Sequence, residues 1–228
     1  MFPRPSDRRA MHRAVHVDAS GVLLPGDLVV PEGARGVVLF AHGSGSSRRS
    51  PRNRQVATGL QDAGYGTLLL DLLTEAEERI DARTRMLRFD VRMLAGRLTA
   101  AADWLSRPEA AGDVPMAAFG ASTGAAAALI TAADRPDLIG VVISRGGRPD
   151  LAGDALARVR APTLLIVGGA DRQVLELNRA AAARLATVHD IAVVPGATHL
   201  FPEDGALEQV IDLSVRWLAR WLPQARPR

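Results

Sequence analysis

The stretch Ala117–Ala133, AAFGASTGAAAALITAA, decides how this chain is read. Ser122 stands between Gly120 and Gly124, behind five small or aromatic residues and ahead of a run of alanines. A Gly-x-Ser-x-Gly pentapeptide between a buried strand and a helix can raise its serine above a sheet as a nucleophile elbow. The same letters also suit a tight turn in which small residues let a helix pack closely. The pentapeptide alone leaves both open, and the rest of the chain has to separate them.

Outward from this stretch, short apolar runs alternate with longer amphipathic or alanine-rich segments. GVVLFAHG (Gly36–Gly43), YGTLLLDLL, VPMAAFGAS, LIGVVISRGG, PTLLIVGGAD and HDIAVVPGATH read as strands, rich in Val, Ile and Leu on both faces. Between them, helices are expected at Asn53–Ala63 (closed by Gly64), over a stripe of Leu87, Val91, Leu94, Leu98 and Leu105, and after Ser122. Further helices are expected at Asp150–Val159, at Val174–Ala186, and along Leu207, Ile211, Val215, Leu218 and Leu222. TEAEERIDART reads as a charged link. Before all of these, His16–Leu24 and Asp27–Pro31 suggest an antiparallel pair turned at Pro25-Gly26. Apolar strands separated by helices imply a parallel sheet covered on both sides. The expected fold is α/β: one doubly wound domain, mostly parallel, with an antiparallel N-terminal strand and no large lid. The domain is expected over residues 14–222, with a flexible arm at 1–13 and a tail at 223–228.

Composition narrows the function classes. The 228 residues contain no cysteine, which removes disulfides and thiolate metal sites. All 28 basic residues are arginine, which removes Schiff-base and P-loop lysine chemistry. The calculated pI near 10.6 reflects missing lysine and a single tyrosine more than charge, since the formal balance is only +3. Basic runs such as Arg48-Arg49 are too short for a nucleic-acid surface. No apolar run approaches the roughly 18 residues of a membrane span, and the first dozen residues lack the core of a signal peptide. A cytoplasmic monomer or homodimer is expected, with no metal, no cofactor, no nucleic-acid partner and no membrane.

In a doubly wound sheet, ligands bind outside the carboxyl ends of the strands. His42-Gly43-Ser44-Gly45-Ser46-Ser47, Asp71, Ser122, Ser144-Arg145, Asp171 and His199 all fall there. A serine hydroxyl needs an imidazole to take its proton, and the imidazole needs a carboxylate to hold its tautomer, so a serine, an acid and a histidine at neighbouring strand ends point to acyl transfer. The backbone N–H of Thr123 and one from the loop after Gly43 would form the oxyanion hole.

Together GASTG, VGGAD, PGATHLF and AHGSGSS resemble the α/β-hydrolase fold, and within it the compact dienelactone-hydrolase-like group, over roughly residues 14 to 222. The resemblance implies a nucleophile at Ser122, an acid at Asp171, a base at His199 and an oxyanion contribution from Ser44, with Gly45 as the fallback. Dienelactone hydrolase itself carries a cysteine nucleophile, so scaffold and acyl chemistry are carried over but the lactone substrate is not. The expected function is hydrolysis of a small carboxylic ester or related acyl compound through an acyl-enzyme. A non-catalytic protein retaining the fold, or an acyltransferase, is the alternative. Competing roles stay open at single positions. Asp171 could instead cap the following helix, with Asp150 and Asp154 as reserve acids. His42 is expected to brace the oxyanion loop, and His12, His16 and His189 to lie on the surface. Trp104, Trp217 and Trp221 are expected to pack. Arg145 could bind a substrate anion or pair with Asp71, and Arg48, Arg49, Arg83, Arg85 and Arg88 could line a positive rim.

Overall fold

The computed structural model describes residues 10–222. Eight strands form one sheet: β1 (Ala10–Ala19), β2 (Val22–Pro31), β3 (Val37–Ala41), β4 (Gly66–Leu70), β5 (Met116–Ala121), β6 (Ile139–Arg145), β7 (Thr163–Gly168) and β8 (His189–Val194). Their spatial order is β1-β2-β4-β3-β5-β6-β7-β8. β2 runs antiparallel to both β1 and β4, and all pairs from β4 to β8 are parallel. The single-domain α/β-hydrolase-like architecture expected from the sequence is what the chain adopts.

Helices cover both faces. α3 (Val91–Leu105) and α4 (Gly124–Asp134) pack on one side, with Leu94, Leu98 and Leu105 buried against Leu39, Leu68 and Ala118 of the sheet. α1 (Pro51–Asp62) and α6 (Ala206–Trp221) pack on the other, where Val56, Leu60, Val210 and Leu218 meet Phe40, Phe119 and Ile143. α2 (Glu75–Thr84) lies beyond β4, and α5 (Arg172–Ala182) follows β7. Between β6 and β7 there is only a kinked 3₁₀ segment, Pro149–Arg158, so no large lid stands there. Both core clusters are built around continuous Val/Ile/Leu strands, the pattern a sheet buried on both faces requires.

Four expectations about local structure are corrected. The hairpin turns at Ser20-Gly21, not Pro25-Gly26: both turn residues have positive φ (57° and 88°), and the Gly21 N–H donates to Asp18 Oδ1 at 2.7 Å. Two left-handed residues match the twist of the flanking strands, whereas Pro25 and Gly26 continue β2 opposite His16 and Val15. Residues 10–13 belong to β1 and not to an arm, while residues 1–9 and 223–228 lie outside the described residues. The stretch read as a charged link is α2, started by a capping box in which Thr74 accepts from the Glu77 N–H and Glu77 accepts from the Thr74 N–H. Leu87 belongs to a separate 3₁₀ turn (Leu87–Phe89), because the Asp90 side chain caps α3 through the Met93 N–H.

Candidate active site

β5 ends one residue before Ser122, and α4 begins two residues after it. Ser122 has φ +51°, a left-handed conformation that costs a residue with a Cβ about 1–3 kcal/mol and persists only where its surroundings enforce it. The enforcement is visible. The Ser122 N–H donates to the Arg145 carbonyl at 3.2 Å, and its own carbonyl accepts from Ala125 and Arg148 at 3.1 and 3.0 Å. The flanking glycines allow the crowding. A Cβ on Gly124 would stand 2.6 Å from the His42 carbonyl oxygen, and one on Gly43 would stand 2.8 Å from Ser122 Cβ.

The turn after β8 brings His199 over this elbow. Ser122 Oγ and His199 Nε2 are 3.3 Å apart, and His199 Nδ1 is 2.7 Å from Asp171 Oδ2. Asp171 stands at the start of α5 but makes no side-chain cap there; its carboxylate is turned to the imidazole instead. The reserve acids are engaged elsewhere, Asp150 in a two-pronged pair with Arg148 and Asp154 with Arg184. Asp171 is largely shielded from solvent and His199 is 38% exposed, so the imidazole edge stays open to a ligand. Glu203, which sequence reasoning did not single out, pins the turn: its Oε1 accepts from both the N–H and the hydroxyl of Thr198, at 3.0 and 2.6 Å. A Thr-x-x-x-x-Glu pair bracketing the histidine was the available signal.

The loop after β3 lies against the elbow from the other side. Ser44 Oγ is 3.0 Å from Thr123 Oγ1. Among the described residues neither the Ser44 nor the Thr123 amide N–H has an acceptor, and the N-terminus of α4 points from the same place. Gly45, the fallback donor, has φ +65° and lies beside Arg88. His42 braces the loop. Its buried ring accepts the Leu72 N–H at Nε2 (2.9 Å), which puts the proton on Nδ1, and Nδ1 donates to the Gly43 carbonyl (2.9 Å). Burial pushes the His42 pKa below its ordinary value, against the Gly43 bond and the nearby Asp71 charge, which both raise it. His42 to Ser47, Leu73, Leu94 and Thr123 help to line a cavity of about 320 Å³, together with Glu78, Asp81 and Arg88.

Two of the arginines expected at a positive rim are held in ion pairs. Arg48 pairs with Asp71, and Arg88 donates to Asp81 through its backbone N–H (3.0 Å) and Nε (2.5 Å). Arg49, Arg83 and Arg85 are exposed. Arg145 is only 7% exposed and does not reach the cavity beside Ser44. It continues the face of β6 that carries Val141 and Ile143, under α1 and α6, and Asp71 is not its partner. His12, His16 and His189 are exposed, and Trp104, Trp217 and Trp221 pack against the two cores.

A parallel sheet with a left-handed serine at the strand-to-helix turn and an imidazole above it defines a hydrolase-type α/β protein. The sequence profile of the dienelactone hydrolase family matches residues 24–212, and the chain belongs to that family. It is similar to the crystal structure of dienelactone hydrolase from Anabaena variabilis, with 53% identity and a TM-score of 0.91, covering 94% of this chain and 99% of that one. Ferulic acid-bound Est1E from Butyrivibrio proteoclasticus shares the fold at 16% identity and a TM-score of 0.76, over 90% and 98% of the two chains. A Mycobacterium tuberculosis protein named "Putative phosphoribosyl transferase" is 55% identical over 203 residues. That alignment takes in 89% of this chain, and the chain spans only 45% of that relative's length. Among the described residues no helix is long and apolar enough to cross a membrane.

Proposed function

We propose that the chain is a serine hydrolase that cleaves a small carboxylic ester or related acyl compound through an acyl-enzyme on Ser122. The observation that carries this reading is the Ser122–His199–Asp171 relay, with its contacts of 3.3 and 2.7 Å. In the first half-reaction His199 Nε2 takes the Ser122 proton as Oγ attacks the acyl carbon. Asp171 holds Nδ1–H in place and stabilises the imidazolium. Charge that builds on the carbonyl oxygen is met by the Thr123 and Ser44 amides, and His199 then returns its proton to the leaving alcohol. Water, activated by the same imidazole, hydrolyses the acyl-enzyme in the second half. A cavity of about 320 Å³ with Leu73, Leu94 and several hydroxyls on its wall suits an acyl group of modest size.

The phosphoribosyl transferase name belongs to relatives about twice as long, and the Ser122–His199–Asp171 relay supports acyl chemistry on the shared part. An acceptor other than water would use the same acyl-enzyme. The test is a panel of p-nitrophenyl esters of increasing acyl length. Turnover should fall sharply beyond short chains and vanish in folded Ser122→Ala; retained turnover in that variant refutes the mechanism.

A further inference from the structure

Arg145 is the most deeply buried cation near the site, and no carboxylate pairs with it among the described residues. Among the described residues its Nε and Nη1 have no hydrogen-bond partner, and Nη2 donates only to Asn53 Oδ1, at 3.2 Å. Burial, with Arg52 nearby, lowers its pKa to about 10, which still leaves it cationic at neutral pH. A buried cation without a counter-charge opposes folding, so its contacts carry the explanation for its presence.

Those contacts reach the nucleophile elbow, the first turn of α1 and the histidine turn. The Arg145 carbonyl accepts the Ser122 N–H, fixing the elbow. Its guanidinium binds Asn53, in the first turn of the helix that the oxyanion loop leads into. The same guanidinium lies 5.9 Å from the ring centre of Phe201, two residues after His199. Phe201 is 1% exposed and has φ +54°, so the histidine turn hangs on a strained, fully inserted aromatic anchor. Beside it, Gly146 lies so close under the turn that a Cβ there would stand 2.9 Å from the His199 carbonyl oxygen.

We infer that Arg145 is a positioning residue, which locks the nucleophile elbow, the first turn of α1 and the Phe201-anchored histidine turn into one unit. It thereby holds His199 Nε2 at Ser122 Oγ. This rests on the serine hydrolase reading for its kinetic consequence, but the geometric claim stands apart from turnover. The guanidinium acts through the face of the Phe201 ring and through Asn53; it touches neither substrate nor reacting atoms.

The test compares wild type, Arg145→Met, Arg145→Lys, Phe201→Leu and the Arg145→Met/Phe201→Leu double variant. Each is followed by ester kinetics and by the low-field NMR resonance of the His199 Nδ1 proton, assigned by its loss in Asp171→Asn. Arg145→Met should lower kcat about 10- to 100-fold with KM changed less than about threefold, as expected when a reacting group shifts by roughly 1 Å. The Nδ1 signal should broaden or disappear, Arg145→Lys should recover part of both, and the double variant should be no worse than the worse single. If Arg145→Met does not fold, the Lys and Phe201→Leu variants carry the same comparison. An unchanged kcat and resonance overturns the inference, as do losses that multiply in the double variant. A rise in KM confined to carboxylate-bearing esters overturns it too, because it makes Arg145 an anion subsite. Absence of turnover in wild type refutes the hydrolase reading alone, since the resonance still reports the position of His199.

Discussion

Replacing His42 by leucine removes a hydrogen-bonded strut of nearly the same volume. The ring accepts the N–H of Leu72, a residue with no solvent exposure, and donates to the Gly43 carbonyl. In His42→Leu the Leu72 amide is left buried without a partner, at a cost of about 1–3 kcal/mol. The Gly43 carbonyl keeps the Ser46 N–H at 3.2 Å, so its loss is one ordinary hydrogen bond, about 1 kcal/mol. The sum, about 2–4 kcal/mol, corresponds to a fall of about 4–16 °C in the thermal midpoint for a chain of this size. His42→Gln, whose amide oxygen can accept from Leu72, should recover a large part. The pH dependence gives a second readout. Because burial sets the His42 pKa below 6.5 in the folded chain, the unfolded chain takes up the proton more readily. Stability from the neutral ring is therefore held above pH 6.5 and lost as pH falls below it. The midpoint difference between wild type and His42→Leu should shrink from pH 8 to pH 5. A His42→Leu midpoint equal to wild type at pH 8, or a difference that grows on acidification, refutes the strut.

Asp171→Asn should cost about 10³- to 10⁴-fold in kcat by releasing the imidazole tautomer, while Asp150→Asn and Asp154→Asn, whose carboxylates sit on Arg148 and Arg184, should keep most activity. Steady-state kinetics on all three checks this, and a larger loss in Asp150→Asn or Asp154→Asn would reassign the acid. Glu77→Gln should destabilise the chain by about 1–3 kcal/mol, because Glu77 caps α2 and pairs with the buried Arg97 at 2.5 Å. Arg97 holds the Glu77 carboxyl at about 2, so that stabilisation is present above pH 4.5 and lost as pH falls toward 2. Denaturant titrations of both proteins at pH 7 and pH 3 should show the difference closing at the lower pH.

The order of strands and helices was legible because β3 to β7 are buried on both faces and therefore read as unbroken apolar runs. The candidate relay was legible for a related reason: Ser122, Asp171 and His199 follow the carboxyl ends of β5, β7 and β8, where such a sheet binds its ligands. What escaped was set by other forces. Pro25-Gly26 looks like a turn by residue type, yet the tighter Ser20-Gly21 turn with its Asp18 contact sets the register and leaves Pro25-Gly26 inside β2. α2 presents no apolar stripe, and its one buried residue is Asp81, so periodicity was silent where only the Thr74–Glu77 capping box spoke. The fate of the arginines was not readable either. Pairing of Arg48 with Asp71 and of Arg88 with Asp81 depends on which loops the sheet brings together. Burial of β6 on both faces likewise hides which side Arg145 takes.

The central claim is that Ser122 is the nucleophile and is activated by His199. Intact-mass and peptide-level mass spectrometry after treatment with a fluorophosphonate tests it most directly. One adduct should form per chain, on the peptide carrying Ser122, with labelling slowed by orders of magnitude in His199→Ala and abolished in Ser122→Ala. Labelling at another residue, or equal labelling rates in wild type and His199→Ala, would contradict it.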